Sequence, residues 1–397
     1  MLMYKAISLK EYQDRIARLQ WRMKEKDIDL ALIMYRPELF YFSGSAFDNI
    51  LAVPKDGEPI LIVRRPYERS VESTWIPNVF ALKKGKSLPS QIAEEGITSF
   101  DSIGLELDVL PAKIFQYFTN LFSNSEIRDI SSVTRGVRAV KSSSEIARIR
   151  KAAQIVDKGH QMVPKILKEG MTEVELSARI DQEMRMDGHQ GLISFRAWNN
   201  ELVFSGHVLS GPNSAIPSYL ASPTGGKGLY RSLPQGASSR KIRMNEVVFV
   251  DIVGVFDGYH ADETRLFCLG NLPRQLQRAY EIALEIQEQL KAMLKPGVPC
   301  STLYTQALEI AKQNDLSSNF MGDLHPVPFV GHGIGLQLDD HPPISRNFDD
   351  PLDENMTIAL EPKFVFQEIG TSGIEDTYLI TSDKTERLTN APRIVEL

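Results

Sequence analysis

The sequence predicts two domains: an α/β domain with a mixed sheet over residues 1–138 and an α+β domain over 139–397. Three observations carry that expectation. A chain of 397 residues exceeds what one hydrophobic core usually supports. Helical and strand patterns mix closely in the first third, whereas long helices later stand before and between blocks of strands. The polar stretch AVKSSSE, residues 139–145, separates the two patterns.

Each element has its own signal. Ser8 and Glu11 form a capping box for a helix with Tyr12, Ile16, Leu19 and Met23 on one face. LALIMY (30–35) reads as a short apolar strand, followed by PELFYFSG and then by ILAV and PILIV. The turn signal Asp56-Gly57 joins the last two as a hairpin. Ser142 and Glu145 make a second capping box, before a long helix that Gly170 ends. Thr172 and Glu175 make a third, for a helix stopping near Gly188. A further helix is expected from about Gln275 to Leu294, closed by Pro296-Gly297. A shorter one follows Ser301, and no repeat of solenoid period appears.

Composition narrows the function. A formal net charge of −6 argues against a nucleic-acid partner, which needs a basic face. Cys268 and Cys300 are the only cysteines, too few for a disulfide framework or a thiolate zinc site and suited to a reducing compartment. MLMYKAISLK lacks the apolar run of a signal peptide. Charge interrupts every apolar run well before about 18 residues, so no membrane span is expected. The expectation is a soluble cytoplasmic protein.

The strongest chemical signal is EVVFVDIVGVFDGYHADETRLF, residues 246–267. Asp257-Gly258 marks a two-residue hairpin turn. That register pairs Phe256 with Tyr259, Val253 with Asp262 and Asp251 with Thr264. Alternation then puts Asp251 and Asp262 on one face, diagonal neighbours roughly 7–8 Å apart at the backbone. Thr264 and His260 share that face. Two carboxylates turned into a half-buried sheet are costly unless positive charge lies between them. The competing reading pairs Asp262 with Arg265 and leaves Asp251 at a solvated edge.

Further groups join the set. MTIALEPKFVF (356–366) places Glu361 inside an apolar strand, and SGIEDTYLIT (372–381) does the same for Glu375. An odd connecting loop would put both on one face. GHGIGLQLDDHPPI (331–344) holds His332 between glycines, with His341 nine residues on. Asp251, Asp262, His332, Glu361 and Glu375 are four carboxylates and one imidazole, suited to Mn, Fe, Co or Zn. Bridging carboxylates would hold two ions about 3.5–4 Å apart, as in two-metal hydrolases.

With these residues in order, the chain resembles the creatinase/aminopeptidase P family of pita-bread metallopeptidases, which includes prolidase and the Xaa-Pro peptidases. IDLALIMYRPELFYFSG resembles the entry to the family's N-terminal domain, and KSSSEIARIRKAAQIVDKG the start of its catalytic domain. GYHADETRLF, GHGIGL, LEPKF and GIEDTYLIT match the ligand segments in sequence. The resemblance implies a creatinase-like N-terminal domain with a mixed sheet and an α+β pita-bread catalytic domain. It also implies two divalent ions, manganese first among them, and a homodimer. Asp251 would chelate one ion, His332 and Glu361 would hold the other, and Asp262 and Glu375 would bridge both. A hydroxide between the ions would attack a carbonyl while Glu361 shuttles the proton.

Three positions depart from the family pattern. Asp339 stands where peptidases of the family keep a histidine, seven residues after His332. Ser218 stands in place of a second histidine, and Gly373 in place of an arginine. These changes remove donors and add an acid, making the pocket less suited to a free carboxylate or oxyanion. Asp339 is a candidate acid/base or an acceptor for a cationic or amide group; its bland alternative is a solvated loop aspartate. His207 and His341 are candidates to compensate in substrate binding. His160, His189 and His325 read as structural, and PTGGKGLYR (223–231) as a flexible surface loop. The expected function is a dinuclear metal hydrolase cleaving a C–N bond of a small peptide-like or amide substrate. The rivals are cyclic amidine hydrolysis or carbon–sulfur cleavage on the same scaffold, and a non-catalytic binding protein.

Overall fold

The computed structural model describes residues 7–98, 100–196, 206–393 and 396–397. Residues 1–6, part of the stretch read as lacking a signal peptide, lie outside the described residues. The chain divides into two compact units, 1–138 and 139–397.

The first unit is built on a six-stranded sheet. Its spatial order is Val79–Ala81, Ile60–Arg65, Asp48–Pro54, Leu30–Ile33, Ser102–Leu105 and Glu126–Asp129. The strand Asp48–Pro54 runs antiparallel to both neighbours, and the outer pairings are parallel, so the sheet is mixed. The hairpin predicted at Asp56-Gly57 forms. The first helix spans Leu9–Glu25, with the Ser8 hydroxyl accepting from the Glu11 N–H, and it buries Ile16, Leu19 and Met23. Arg15 is buried beside them, donating to the Tyr41 carbonyl at 2.8 Å with its guanidinium over the Tyr41 ring. PELFYFSG is helical: the element Arg36–Ser43 has Pro37 in its first turn, where a missing N–H costs nothing, and stops at Gly44 with φ of 80°.

The second unit begins with two helices, Ser143–Ile166 and Glu173–Met186, each closed at its start by the reciprocal capping box predicted for it. Ile155, Val156, Val163, Leu176, Ile180 and Met184 from these helices pack with Val248, Val250 and Ile252. Those three lie on one face of the strand Val248–Phe256, which forms the predicted hairpin with Tyr259–Phe267. Asp257 and Gly258 both have positive φ, 48° and 82°, as a type I′ turn requires. Phe256 pairs with Tyr259, Val253 with Asp262 and Asp251 with Thr264. The strand Gly206–Ser210 pairs alongside.

Two further sheets complete this unit. One has five strands in the order Asp340–Ser345, Phe329–Gly333, Thr357–Leu360, Asp376–Ile380 and Thr385–Arg387. The other is the pair Lys363–Phe366 and Gly370–Gly373. The helices Arg274–Met293 and Cys300–Gln313 cover them with a second apolar core. Glu361 and Glu375 therefore do not lie inside strands. Each occupies the break where a strand leaves the five-stranded sheet for the small one, because Pro362 has no N–H to continue the ladder. Nor is PTGGKGLYR wholly a surface loop, since its first four residues are buried. Among the described residues, no helix is long and apolar enough to cross a membrane.

Arg265 settles the competing reading of the hairpin. It lies three positions from Asp262, so alternation sends the two side chains to opposite faces. Arg265 is fully buried and pairs with Glu263 at 2.6 Å and Asp376 at 2.7 Å. It also donates to the carbonyls of Thr264, Glu375 and Ala391. His160, from the long helix, lies on the same side with Nε2 at 3.0 Å from the Glu263 carbonyl, to which its neutral form donates. Burial, reinforced by the Arg265 charge, pushes the His160 pKa from 6.5 down to about 3.

Two predictions follow from this cluster. Arg265→Leu strands the buried Glu263 and leaves Asp376 to Arg393 at 3.2 Å, and should lower unfolding free energy in urea by about 3–5 kcal/mol; a loss below about 1 kcal/mol would contradict the assigned role. His160 stays neutral when folded but protonates when unfolded below pH 6.5. Its contribution is thus intact above that pH and declines as pH falls toward 3, by up to about 1.4 kcal/mol per pH unit. His160→Gln should show a shallower loss of stability between pH 6.5 and pH ~5 than the parent, and equal slopes would count against it.

Candidate metal centre

The hairpin and the strand breaks bring the five expected groups together. Asp251 and Asp262 project from the face opposite the helices. The Asp262 backbone is held by Thr377, whose hydroxyl accepts its N–H at 2.9 Å and donates to its carbonyl at 3.0 Å. The small sheet aligns Lys363 with Gly373 and Phe366 with Gly370 around the three-residue connection 367–369. The loop is odd in length, and Leu360 pairs with Asp376 beyond the break. Continuing that register sets Glu361 opposite Glu375. A bridge between Thr264 and Glu375 ties this region to the hairpin.

His332 lies on the strand Phe329–Gly333, with Nε2 at 3.6 Å from Glu361 Oε1 and 3.9 Å from Glu375 Oε1. Its Nδ1–H donates to the Gly333 carbonyl at 3.0 Å. That tautomer leaves the Nε2 lone pair facing the carboxylates, the arrangement a metal-binding histidine needs. The Asp262, His332 and Glu375 ligand atoms all lie within 4.8 Å of one another.

The electrostatics disfavour full ionisation of these carboxylates with Lys363 as their only close cation among the described residues. Burial, with the charges of Glu375 and Asp251 beside it, pushes Asp262 well above the usual carboxylate range. Burial also raises Glu375 to about 7, Glu361 and Asp251 adding to the shift while Lys363 opposes it. For Asp251 burial acts upward as well, but Lys363 and His207 outweigh it and hold the group below its ordinary value. Asp262 Oδ1 and Glu375 Oε1 are buried and receive no hydrogen bond from the described residues. Orphaned carboxylate oxygens beside an imidazole lone pair fit a divalent ion.

Lys363 is the charged residue of this centre that the sequence reading missed. Its Nζ lies 3.0 Å from Asp251 Oδ2, 2.8 Å from Glu361 Oε2 and 2.9 Å from Glu375 Oε2. Glu375 Oε2 also accepts from the Thr264 hydroxyl at 2.9 Å. A signal was present in LEPKF: a residue two beyond Glu361 can return to the same face.

The candidate substrate residues are distributed as follows. His207 is buried opposite Asp251 in the strand pairing, and burial lowers its pKa. Gln235 Nε2 lies 2.7 Å from His207 Nε2 and donates to Ser218 Oγ at 2.9 Å. His207 and Ser218 thus belong to one polar chain beside Asp251. Gln235 sits in an ordinary Pro-Gln-Gly turn that gave no periodicity or motif to mark it. Asp339 accepts the Arg196 N–H at 3.1 Å, and His341 lies edge-on to Phe348. His260 shares the metal-facing side, but its ring is engaged by the Gly335 carbonyl and the Ser194 N–H, each at 3.0 Å. Gly373 lies against the Lys363 stem: a Cβ there would meet Lys363 Cα and Cγ at 2.8 Å.

Comparisons with known proteins agree with this architecture. Residues 15–140 match the creatinase/prolidase N-terminal domain, and residues 147–382 match metallopeptidase family M24. The chain is 27% identical over 383 residues to an Xaa-Pro dipeptidase of Pyrococcus furiosus, covering 96% of this chain and 99% of the relative. The prolidase structure from Pyrococcus horikoshii superposes with a TM-score of 0.79 at 26% identity, over 96% of this chain and 99% of that one. An X-Pro aminopeptidase from Thermotoga maritima gives 0.78 at 25% identity, with the same coverages of 96% and 99%. The expected fold, a creatinase-type N-terminal domain followed by a pita-bread catalytic domain, is the fold present. By its sequence match and its architecture, the chain belongs to metallopeptidase family M24 and is a metal-dependent hydrolase.

Proposed function

We propose that this hydrolase cleaves the C–N bond of a small peptide-like substrate at the site built from Asp262, His332, Glu361 and Glu375. The observation that supports the reading is the grouping of Asp262, His332 and Glu375 ligand atoms within 4.8 Å of one another, with Asp262 Oδ1 and Glu375 Oε1 buried and unpartnered among the described residues. A divalent ion held there, with manganese the first choice and Co, Fe or Zn the alternatives, would polarise the scissile carbonyl and lower the pKa of the attacking water. The protein's own part is positioning and proton transfer. Glu361, with Oε1 near His332 and Oε2 on the Lys363 ammonium, takes the water proton and delivers it to the departing amine. The Nδ1–H bond to Gly333 fixes the His332 ring. Family analogy supports a homodimer, and composition supports a cytoplasmic location.

The relatives' named activity makes Xaa-Pro dipeptides the first substrates to test. Ser218, Asp339 and Gly373 favour a second reading, hydrolysis of a cyclic amidine or other substrate lacking a free carboxylate, because none of the three supplies a cationic partner. A panel of Xaa-Pro dipeptides, longer peptides and cyclic amidines, assayed with each metal, divides the two. Turnover restricted to amidines would end the peptidase reading.

Glu361→Gln should retain bound metal while lowering kcat by about 10²–10⁴-fold, the range for a lost general acid–base group. Metal content and steady-state rates of the same preparation check this. An unchanged kcat would exclude Glu361 as the proton carrier.

A further inference from the structure

We infer that the ammonium of Lys363 replaces one of the two ions, leaving a centre that binds a single divalent ion beside a fixed organic cation. The inference rests on the proposed metal-hydrolase reading and concerns how its site is filled. Three carboxylates converge on Lys363 Nζ: Asp251 at 3.0 Å, Glu361 at 2.8 Å and Glu375 at 2.9 Å. An ammonium has three donors, so these bonds use its full capacity. Its side chain is only 2% exposed, leaving no solvated alternative at this position.

The carboxylate oxygens are partitioned. Glu361 Oε2 and Glu375 Oε2 point to the ammonium, whereas Glu361 Oε1 and Glu375 Oε1 face His332 Nε2 at 3.6 and 3.9 Å. Asp251 joins the lysine side and Asp262 the histidine side. Of the orphaned oxygens, Glu375 Oε1 is 3.9 Å from His332 Nε2, and the other belongs to Asp262, which joins the histidine group. One cation is therefore supplied by the chain, and one position retains open ligands. A second divalent ion on Asp251 would compete for oxygens already bound to an ammonium at hydrogen-bond distance. Such crowding of like charge in a buried site is strongly unfavourable.

The backbone is shaped for the lysine. Lys363 and Gly373 are register partners, and a Cβ at position 373 would lie 2.6 Å from the Pro362 carbonyl and 2.8 Å from Lys363 Cα and Cγ. Gly373 thus makes room for the stem that carries the ammonium inward. The glycine at 373 and the lysine at 363 form one structural feature.

Metal-free full-length protein titrated with Mn(II), desalted and analysed for metal should retain one ion per chain. Its electron paramagnetic resonance spectrum should be that of isolated Mn(II). Lys363→Ala should take up two, with the spin-coupled spectrum of ions about 3.5–4 Å apart. Asp251→Asn should keep the single ion, and Asp262→Asn should lose it. Two ions in the parent protein would overturn the inference while leaving the hydrolase reading intact, and this measurement needs no variant to fold. One ion in a folded Lys363→Ala would also overturn it, since the lysine would then not be what excludes the second. No ion in the parent, under any of the metals, would overturn the metal-hydrolase reading itself.

Discussion

Four buried carboxylates converging on one point are the constraint on which the catalytic unit depends. Placed there without a cation, Asp251, Asp262, Glu361 and Glu375 would face both the loss of hydration and mutual repulsion, each costing several kcal/mol. The fold holds them together by rigid means. The type I′ turn at Asp257-Gly258 sets the register that brings Asp251 and Asp262 to one face, and two long helices press on the other face. Thr377 and the Thr264–Glu375 bridge lock the hairpin to the five-stranded sheet and to the break where the glutamates stand.

Charge on the two faces of the hairpin is handled differently. On the helix side, Arg265 pairs with both Glu263 and Asp376, Arg393 adds a second cation at Asp376, and backbone carbonyls satisfy the remaining Arg265 donors. That cluster is structural, although among the described residues Glu263 Oε2 and His160 Nδ1 find no hydrogen-bond partner there. On the other side Lys363 satisfies only part of the carboxylate set, so Asp262 Oδ1 and Glu375 Oε1 remain without donors. What distinguishes the ligand site is the convergence of Asp262, His332 and Glu375, whose ligand atoms all lie within 4.8 Å of one another. The same strand, Tyr259–Phe267, serves both because alternate residues serve opposite faces.

The departures at Ser218, Asp339 and Gly373 acquire separate explanations in three dimensions. Ser218 ends a chain through Gln235 to His207, which stands across from Asp251. Asp339 holds the backbone at Arg196. Gly373 accommodates the lysine stem. Gly373 and Lys363 are thus one local feature, and on the proposed reading of the site a changed substrate preference is one way it would be expressed.

Much of this was legible from local pattern. Capping boxes at Ser8, Ser142 and Thr172 start helices because they act within one turn, and Asp257-Gly258 sets the hairpin register because the turn type allows little else. Period-2 alternation alone places Asp251 with Asp262 and sends Arg265 away. What local pattern could not supply was the path of the chain at Glu361 and Glu375. Both glutamates sit in apolar runs that look like continuous strands, yet the chain changes sheets at each. Lys363 shows the limit most clearly. A lysine after Glu-Pro in sequence is ordinarily a solvated side chain; only the pairing with Gly373 and the burial around it turn the ammonium into the carboxylate cluster. Sequence determined which groups gather at the centre. Tertiary packing decided which cation the chain itself supplies, because burial removes the solvent that would otherwise claim the lysine.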